Sequence, residues 1–312
     1  MTHWPELSYA RWAPTGKNLH MWLQIVGKSR LAWTPWLNHS WHAAFYITGR
    51  GLTTSLIPAD PHSYEVVFDF IDQQLMIVVT DGQQASIPLK AMSVAQFYER
   101  FFDTLSMLGL ATAIHDTPNE VADPVPFHQQ TEPGAYDPVA ARQFWQALVA
   151  MERMFTAFRS GYIGKVSPVH LFWGSFDLAV TRFSGRTAPL HPGGIPALPD
   201  TVTQEAYSHE VSSAGFWPGG SGAEYAFFYS YAYPTPDGFA NAHVEPAEAF
   251  YHETMGEFIL PYEAVRSAAD PDATLLRFLN TTYEAAASLG QWPREELECV
   301  PGQPRIPRPI AS

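Results

Sequence analysis

The chain has 312 residues, of which 16% are charged and 14% are aromatic, and this composition excludes a chain that is disordered throughout. Its formal charge of −13 disfavours nucleic acid and anionic membrane surfaces as partners. The single cysteine, Cys299, excludes an internal disulfide, and because no basic leader or long apolar run is visible we expect a cytoplasmic protein that spans no membrane.

Residues 1–115 form the first predicted half. Apolar spacing and turn residues mark four elements in it: a helix over 15–28, a strand over 64–71, a hairpin turn at Asp81-Gly82 and a helix that ends at Gly109. The strand alternates apolar with polar side chains and the closing helix is amphipathic. This pattern predicts a small sheet covered by helices on one face.

Residues 137–290 form the second predicted half. Asp137, which is followed by proline, is typical of a helix start, and apolar residues then recur every three or four positions as far as Tyr162. An aromatic strand follows over 225–233, and a last amphipathic helix ends before Gly290. The second half therefore has the same classes of element as the first.

Proline-rich segments separate and flank these halves. They are a linker over 116–136, a loop insertion over 187–222 within the second half, and a tail over 291–312. Five prolines after Trp292 are too many for a helix or a central strand, so we expect the tail to be extended or mobile and to contribute little to the core. The alternative is that the tail wraps the body.

The two halves carry similar marks in the same order. Each has a helix followed by Gly-Lys, at Lys28 and Lys165, then a strand ending in Gly-Arg, further strands, and a helix that ends at glycine. We therefore predict an α+β fold of two similar halves, each a mostly antiparallel sheet with packed helices, related by internal duplication. The alternative is one irregular α+β domain whose helices share ordinary caps.

The sequence contains no standard catalytic or metal-binding motif. Zinc-protease, α/β-hydrolase, P-loop, dinucleotide-binding and paired-cysteine patterns are all missing from it. We therefore predict no metal site from a motif, and no motif identifies a cofactor. Candidate site residues come instead from less specific constellations.

The densest constellation lies in residues 167–186. Read as one strand, this segment places Trp173, Ser175 and Asp177 on one face, opposite an apolar face. A carboxylate in so apolar a run is costly to bury without a partner. Asp177 is therefore exposed, is held by hydrogen bonds or by a cation such as Arg182 or Arg186, or belongs to a functional site.

Two histidines are candidates to share proton transfer with Asp177. His170 has the opposite parity on the strand and reaches the same face only if the strand bulges between them. His209 shares one face of a second strand with Ser213, whereas Ser212 lies on the other face. Only one of these two faces can line a site.

Aromatic residues of the second half indicate a ligand pocket. Tyr229 and Tyr231 belong to a strand with several tyrosines, whose hydroxyl groups suit a wet pocket or an interface better than a dry core. The alternative is core packing with the hydroxyl groups at solvent. Trp217 lies near the tip of a Gly-Pro loop that either covers a ligand as a lid or is pinned to the body by its rings.

Lysine is rare in this chain, and two of its four lysines follow a glycine at equivalent places in the two predicted halves. Lys28 and Lys165 are therefore candidate cations for an anionic ligand. The alternative is that each cation completes a helix C-terminus, where it stabilises the helix dipole.

Several segments carry a resemblance to a known family. They are Ile25-Val26-Gly27-Lys28, Thr34-Pro35-Trp36-Leu37-Asn38-His39, Gly49-Arg50-Gly51-Leu52-Thr53-Thr54-Ser55 and Phe68-Asp69-Phe70-Ile71-Asp72, together with 167–186 and 207–220. On these segments the chain closely resembles DUF5996, a bacterial family of unknown function. The resemblance implies no activity, ligand or cofactor, so the functional prediction rests on the residues described above.

The leading hypothesis is an enzyme that acts on a small polar or anionic molecule at the seam between the two halves. In this site Asp177 is the acid or base, and His170 or His209 shares the proton transfer. The predicted ligand-binding residues are Trp173, Ser175, Arg182, Lys165, Ser212, Tyr229, Tyr231 and Trp217. The alternatives are a non-catalytic small-molecule-binding protein with the same pocket, and a structural or partner-binding protein whose aromatic residues are core or an oligomer face.

Overall fold

The computed structural model describes residues 4–220 and 222–308. In this part of the chain helices pack with two antiparallel sheets of six strands each, so the predicted α+β class is confirmed. The helices are α1 (Tyr9–Trp33), α2 (Val94–Met107), α3 (Pro138–Ser160), α4 (Asp200–Ala206), α5 (Tyr262–Arg266), α6 (Pro271–Leu289) and α7 (Arg294–Leu297). Over the described residues, none of them has the length and apolar content that a membrane crossing requires.

The N-terminal sheet contains the first six strands of the chain. They are β1 (Tyr46–Ile47), β2 (Gly51–Thr53), β3 (Ile57–Ala59), β4 (His62–Asp69), β5 (Gln74–Val79) and β6 (Gln84–Pro88). Their order is β1-β2-β4-β5-β6, and β3 pairs with the other end of β4. The sheet is therefore a meander in which neighbouring strands follow one another in the chain.

The C-terminal sheet contains the other six strands. They are β7 (His170–Phe172), β8 (Asp177–Thr187), β9 (His209–Trp217), β10 (Phe227–Tyr233), β11 (Phe250–His252) and β12 (Glu257–Pro261). Their order is β7-β8-β9-β10-β12-β11. The last two strands thus exchange places relative to a simple meander.

The two sheets meet edge to edge where β1 approaches β7. Phe45, just before β1, and Leu171 of β7 exchange two backbone hydrogen bonds of 2.9 Å. On one face of the sheets α1 contacts both α2 and α3, and α3 contacts α6. One continuous cluster of buried apolar side chains runs through both halves, so the two halves share a core.

Side chains at the N-termini fix where three long helices begin. Ser93 and Gln96 form a capping box at the start of α2. Asp137 accepts a hydrogen bond of 2.8 Å from the backbone N–H of Val139, so α3 begins where the sequence predicts. Asp270 caps α6 in the same way, and each such cap contributes about 1 kcal/mol.

Helix α1 is longer than predicted, and Gly27 and Lys28 lie inside it rather than at its end. A Cβ atom on Gly27 would lie 2.3 Å from the ring of Trp173. Glycine at this position therefore allows the indole to pack directly on the helix backbone. Because Lys28 lies inside α1, it does not complete a helix C-terminus.

The internal duplication is not confirmed. Both sheets begin at their shared edge with consecutive strands side by side, but the exchange of β11 and β12 occurs only in the C-terminal sheet of the described chain. The predicted counterparts β4 and β10 also differ in position. With β2 and β3 counted as one interrupted strand, β4 is the third strand from the shared edge, whereas β10 is the fourth. The similar sequence marks thus fall on strands in different positions.

The proline-rich linker and the first part of the tail pack against the body. Phe127 of the linker is fully buried. In the tail, the Leu297 carbonyl accepts a hydrogen bond of 2.8 Å from the backbone N–H of Ile163, and the Cys299 N–H donates to Gly161 at 3.1 Å. Residues 300–308 are exposed, and Pro309, one of the five tail prolines, lies outside the described residues.

Candidate functional site

A cavity of about 1070 Å³ lies on the face of the C-terminal sheet that points away from the helices. Successive side chains of a strand point to opposite faces, and every second residue of β8 from Asp177 to Phe183 lines this cavity. Strands β9, β10 and β12 contribute residues of matching register, among them Ser213, Tyr229 and Glu257. The sheet therefore forms the floor of the cavity.

Segments outside the two sheets form the opposite wall, which we call the cover. The cover consists of the loop over 36–43, residues 119–120 of the linker, and residues 195–207 of the insertion, which include α4. The first of these segments belongs to the N-terminal half. The cavity therefore lies where both halves and the linker come together.

Hydrogen bonds join the three segments of the cover into one layer. The backbone N–H of Glu120 donates to the Pro196 carbonyl at 2.9 Å. The backbone N–H of His39 donates to the Glu205 carboxylate at 3.0 Å. The insertion therefore bonds both of the other segments of the cover.

Aromatic rings form much of the wall. They come from the floor, the cover and the turn between β7 and β8, and include Trp36, Trp41, Trp173, Tyr207, Trp217 and Phe227. The Tyr207 hydroxyl of the cover bonds the Tyr231 hydroxyl of the floor at 2.7 Å. A wall of this kind suits an organic ligand with a large apolar surface.

A tight hairpin brings Trp173, Ser175 and Asp177 to one end of the cavity. Phe172 of β7 pairs with Asp177 of β8, so residues 173–176 form a turn and the segment is not the single strand that alternation predicts. Phe176 in this turn has a left-handed φ of 63°. The turn keeps the three side chains together, although the backbone reverses direction between them.

Two hydroxyl groups hold the buried carboxylate of Asp177. Ser175 Oγ donates to one of its oxygens and Tyr229 Oη donates to the other. The Tyr229 ring reaches β8 by crossing Gly215 of β9, where a Cβ atom would lie 2.3 Å from the ring. Burial raises the pKa of Asp177, and the two hydrogen bonds offset only part of this effect.

Two further carboxyl groups, Glu120 and Glu257, face the cavity near Asp177. Burial, followed by repulsion from Asp177, raises the pKa of Glu120 to about 7. The same two causes raise the pKa of Glu257 to about 7. Within the described part of the chain, neither glutamate side chain has a hydrogen bond or an ion pair, so three acidic groups share this end of the cavity without an ion-pair partner.

Lys28 reaches the cavity wall from α1. Its Nζ atom donates a hydrogen bond to Asn119 Oδ1 and lies 5.7 Å from the centre of the Trp173 ring. Burial lowers the pKa of Lys28 to about 8, against a smaller opposite effect of Asp116. Lys28 thus links α1 to the cover, and its amine lies at the wall of the cavity.

Six of the predicted site residues line the cavity: Trp173, Ser175, Asp177, Trp217, Tyr229 and Tyr231. Arg182 and Ser212 face the helices instead. The Arg182 guanidinium lies 3.6 Å from the centre of the Phe158 ring and 4.2 Å from that of Tyr283. Strand alternation explains this placement, because Arg182 has the opposite parity to Asp177 on β8 and pairs with Ser212 on β9.

The remaining predicted residues, His170, His209 and Lys165, do not line the cavity. His170 is buried, and desolvation, followed by repulsion from two arginines, lowers its pKa to about 3. The His209 ring lies 6.3 Å from that of His39, and Lys165 Nζ lies 2.7 Å from His39 Nε2. The structure therefore brings no histidine into contact with Asp177 in the described residues.

Two acidic residues of the cavity, Glu257 and Glu120, were not identified from the sequence. Glu257 lies two positions before Ile259 on β12, and strand alternation was the signal that could have placed it on the cavity face. Glu120 gives no such signal, because it lies in a proline-rich linker and only its long-range hydrogen bond to Pro196 brings it to the cavity.

The described residues contain no group of three or more His, Cys, Asp or Glu side chains arranged to hold a metal ion. The model of a family described as a family of unknown function, DUF5996, matches residues 4–299 of the chain. No curated protein and no solved structure matches the chain.

Proposed function

Because the chain belongs to DUF5996, a family of unknown function, we propose a function from the cavity itself: the protein binds a small organic molecule between the C-terminal sheet and the cover. The observation that carries this proposal is a cavity of about 1070 Å³ that is closed by a separate layer of chain. Pockets for small molecules have volumes of roughly 300–1,000 Å³, apolar walls and a few polar groups. The cavity combines all three properties.

Binding of Nile red, a neutral apolar dye, tests this proposal. We expect saturable fluorescence enhancement with one dye molecule per chain. Ala206 belongs to the cover and lines the cavity, so the substitution Ala206→Trp should occupy the space and reduce the dye affinity at least tenfold. Ser86→Trp, which adds the same ring to an exposed position of β6, is the control.

The dye experiment has two results that would refute binding in the cavity. One is the absence of saturable binding to the natural chain. The other is an equal affinity in Ala206→Trp and Ser86→Trp, which would assign the dye to a surface elsewhere on the molecule.

A second candidate function is an enzyme in which Asp177 transfers a proton. The supporting observation is a buried carboxyl of raised pKa, hydrogen-bonded to Ser175 and Tyr229 and close to space for a ligand. Asp177→Asn removes the proton-transferring group but keeps the shape. We then expect different co-purifying compounds on the two proteins: the product on the natural chain and the substrate on the variant. Mass spectrometry measures this difference. Identical compounds at identical occupancy would favour binding without catalysis.

A further inference from the structure

We infer that the molecule bound in the cavity carries an organic ammonium group, which lies at the end of the cavity formed by Asp177, Glu120 and Glu257. This inference rests on the proposed function, because it names the class of ligand that the same cavity takes. It also departs from the hypothesis made from the sequence, in which the ligand is a small polar or anionic molecule.

The three carboxyl groups come from separate parts of the chain. Asp177 and Glu257 belong to the floor, on strands β8 and β12, and Glu120 reaches in from the linker. The Glu120 carboxylate lies over Gly174, in the turn that precedes Asp177, at 1.9 Å from the place where a Cβ atom would be. The charge of Asp177 acts on both glutamates, so the three groups repel one another.

In the described residues no lysine or arginine forms an ion pair with the three carboxyl groups, although Lys28 lines the cavity. Lys28 bonds Asn119, Lys165 contacts His39, and Arg182 lies on the opposite face of the sheet. Like charges in a desolvated site are unfavourable unless a counter-charge is present. A ligand cation would supply that counter-charge, whereas a ligand anion would add a further repulsion.

The surrounding rings favour the same charge. Trp173, Trp217 and Tyr229 line the cavity close to Asp177, and Trp217 Nε1 donates a hydrogen bond of 3.1 Å to the Ser175 carbonyl. The face of an aromatic ring attracts an ammonium group, most strongly for tryptophan. Rings next to carboxylates are therefore suited to an amine attached to an apolar body.

Three probes with the same ring separate the possible charges: 1-naphthylmethylamine, 1-naphthylmethanol and 1-naphthoate. At pH 7.5 we expect the amine to bind at least tenfold more tightly than the alcohol, and the carboxylate to bind most weakly, as measured by calorimetry. Glu257→Gln and Glu120→Gln should each reduce the preference for the amine at least threefold without weakening the alcohol. Glu99→Gln, at an exposed position of α2, should leave all three affinities unchanged.

The results also distinguish failure of this inference from failure of the proposed function. If the alcohol or the carboxylate binds as tightly as the amine, or if Nile red binds and none of the three probes does, the ammonium assignment is wrong and binding in the cavity stands. If neither the probes nor Nile red bind, the proposed function is wrong as well.

Discussion

In both sheets one face packs against the helices, but the opposite faces of the two sheets differ in how far they are buried. In both, apolar strand residues pack under the helices, and Phe68 of β4 and Phe228 of β10 are fully buried. On the second face, Val78 of the N-terminal sheet keeps 40% of its surface exposed, whereas Ile259 of the C-terminal sheet is 1% exposed. Aromatic side chains of the C-terminal sheet, among them Phe227 and Tyr229, enclose Ile259, and the cover lies over the same face of this sheet.

The strand compositions agree with this difference. In β5 a buried residue alternates with a more exposed one, as expected for a sheet with one face open to water. In β10 the neighbours Phe227, Phe228 and Tyr229 are all buried, although they point to opposite faces. A second apolar face in the sequence therefore indicates a second layer, and here that layer encloses the candidate site.

The first prediction concerns the face that the two sheets share. Phe68→Ala and Phe228→Ala each remove a fully buried ring from the helix-facing core, and we expect each to cost about 3–5 kcal/mol. Urea unfolding measures both values. A cost of less than about 1 kcal/mol for either variant would show that its sheet is not packed under the helices as described.

The second prediction separates the two other faces. Ile259→Ala should cost about 2–4 kcal/mol because Ile259 is enclosed by the aromatic residues of the cavity floor. Val78→Ala removes a half-exposed side chain and should cost less than about 1 kcal/mol. Equal costs in urea unfolding would contradict the difference in cover between the sheets.

The sequence predicts much of the floor of the cavity, and the physical reason is local. Alternation along a strand depends only on neighbouring residues, and it correctly places Asp177 and Thr181 of β8 on one side. Trp173 and Ser175 reach the same end of the cavity through the turn, which alternation does not describe. For β9 the alternation separates Ser212 from Ser213 correctly. Both faces of that strand are buried, so alternation alone does not tell which serine lines the cavity.

The cover could not be predicted, because it depends on contacts between distant segments. Residues 116–136 and the part of the predicted insertion that precedes β9, 188–208, have the composition of a linker and a surface loop, and the hydrogen bond from Glu120 to Pro196 has no local signal. The contact between Gly27 and Trp173 could not be predicted either, because the apolar spacing of the helix does not indicate it. Contacts of this kind decide where the acidic groups of the site meet.

The third prediction uses pH to compare the acidic groups of the two sheets. Burial, and secondarily Asp177, raises the pKa of Glu120 and of Glu257 from 4.5 to about 7. Between these values the two glutamates bind more protons in the folded state than in the unfolded state, so their contribution to stability falls as the pH rises from 4.5 to about 7, opposite in sign to the contribution of His170, whose pKa is lowered. With allowance for water in the cavity, we expect a loss of about 1–2 kcal/mol.

The double variant Glu120→Gln/Glu257→Gln checks this assignment, with urea unfolding at pH 5 and pH 7.5. The variant should lose less stability than the natural chain between these two values. The aspartates of the N-terminal sheet should not add to this pH dependence between pH 5 and pH 7.5. Hydrogen bonds lower the pKa of both Asp69 and Asp81 despite their desolvation. An unchanged pH dependence in the double variant would contradict the position of the two glutamates in the cavity.

The last prediction compares one buried aspartate from each sheet. Burial raises the pKa of Asp69, but backbone N–H groups of Asp72 and Ile71 and the Arg50 guanidinium lower it more. Arg50 Nε lies 2.6 Å from the Asp69 carboxylate. Asp69→Asn weakens several hydrogen bonds to a charged group and should cost about 1–3 kcal/mol at pH 7.5.

Asp177→Asn should cost less than about 1 kcal/mol under the same conditions, because two opposing effects nearly cancel. The amide keeps one acceptor for the Ser175 or Tyr229 hydroxyl and loses the other, which destabilises the fold. It also removes a buried charge that repels Glu120 and Glu257, which stabilises the fold. No buried cation is left without a partner, since Arg182 faces the helices and Arg186 bonds Glu210 at 2.7 Å. If Asp177→Asn instead costs as much as Asp69→Asn, the hydrogen bonds of Asp177 with Ser175 and Tyr229 outweigh its repulsion of Glu120 and Glu257, and the acidic end of the cavity then lacks the uncompensated charge on which the ammonium assignment rests.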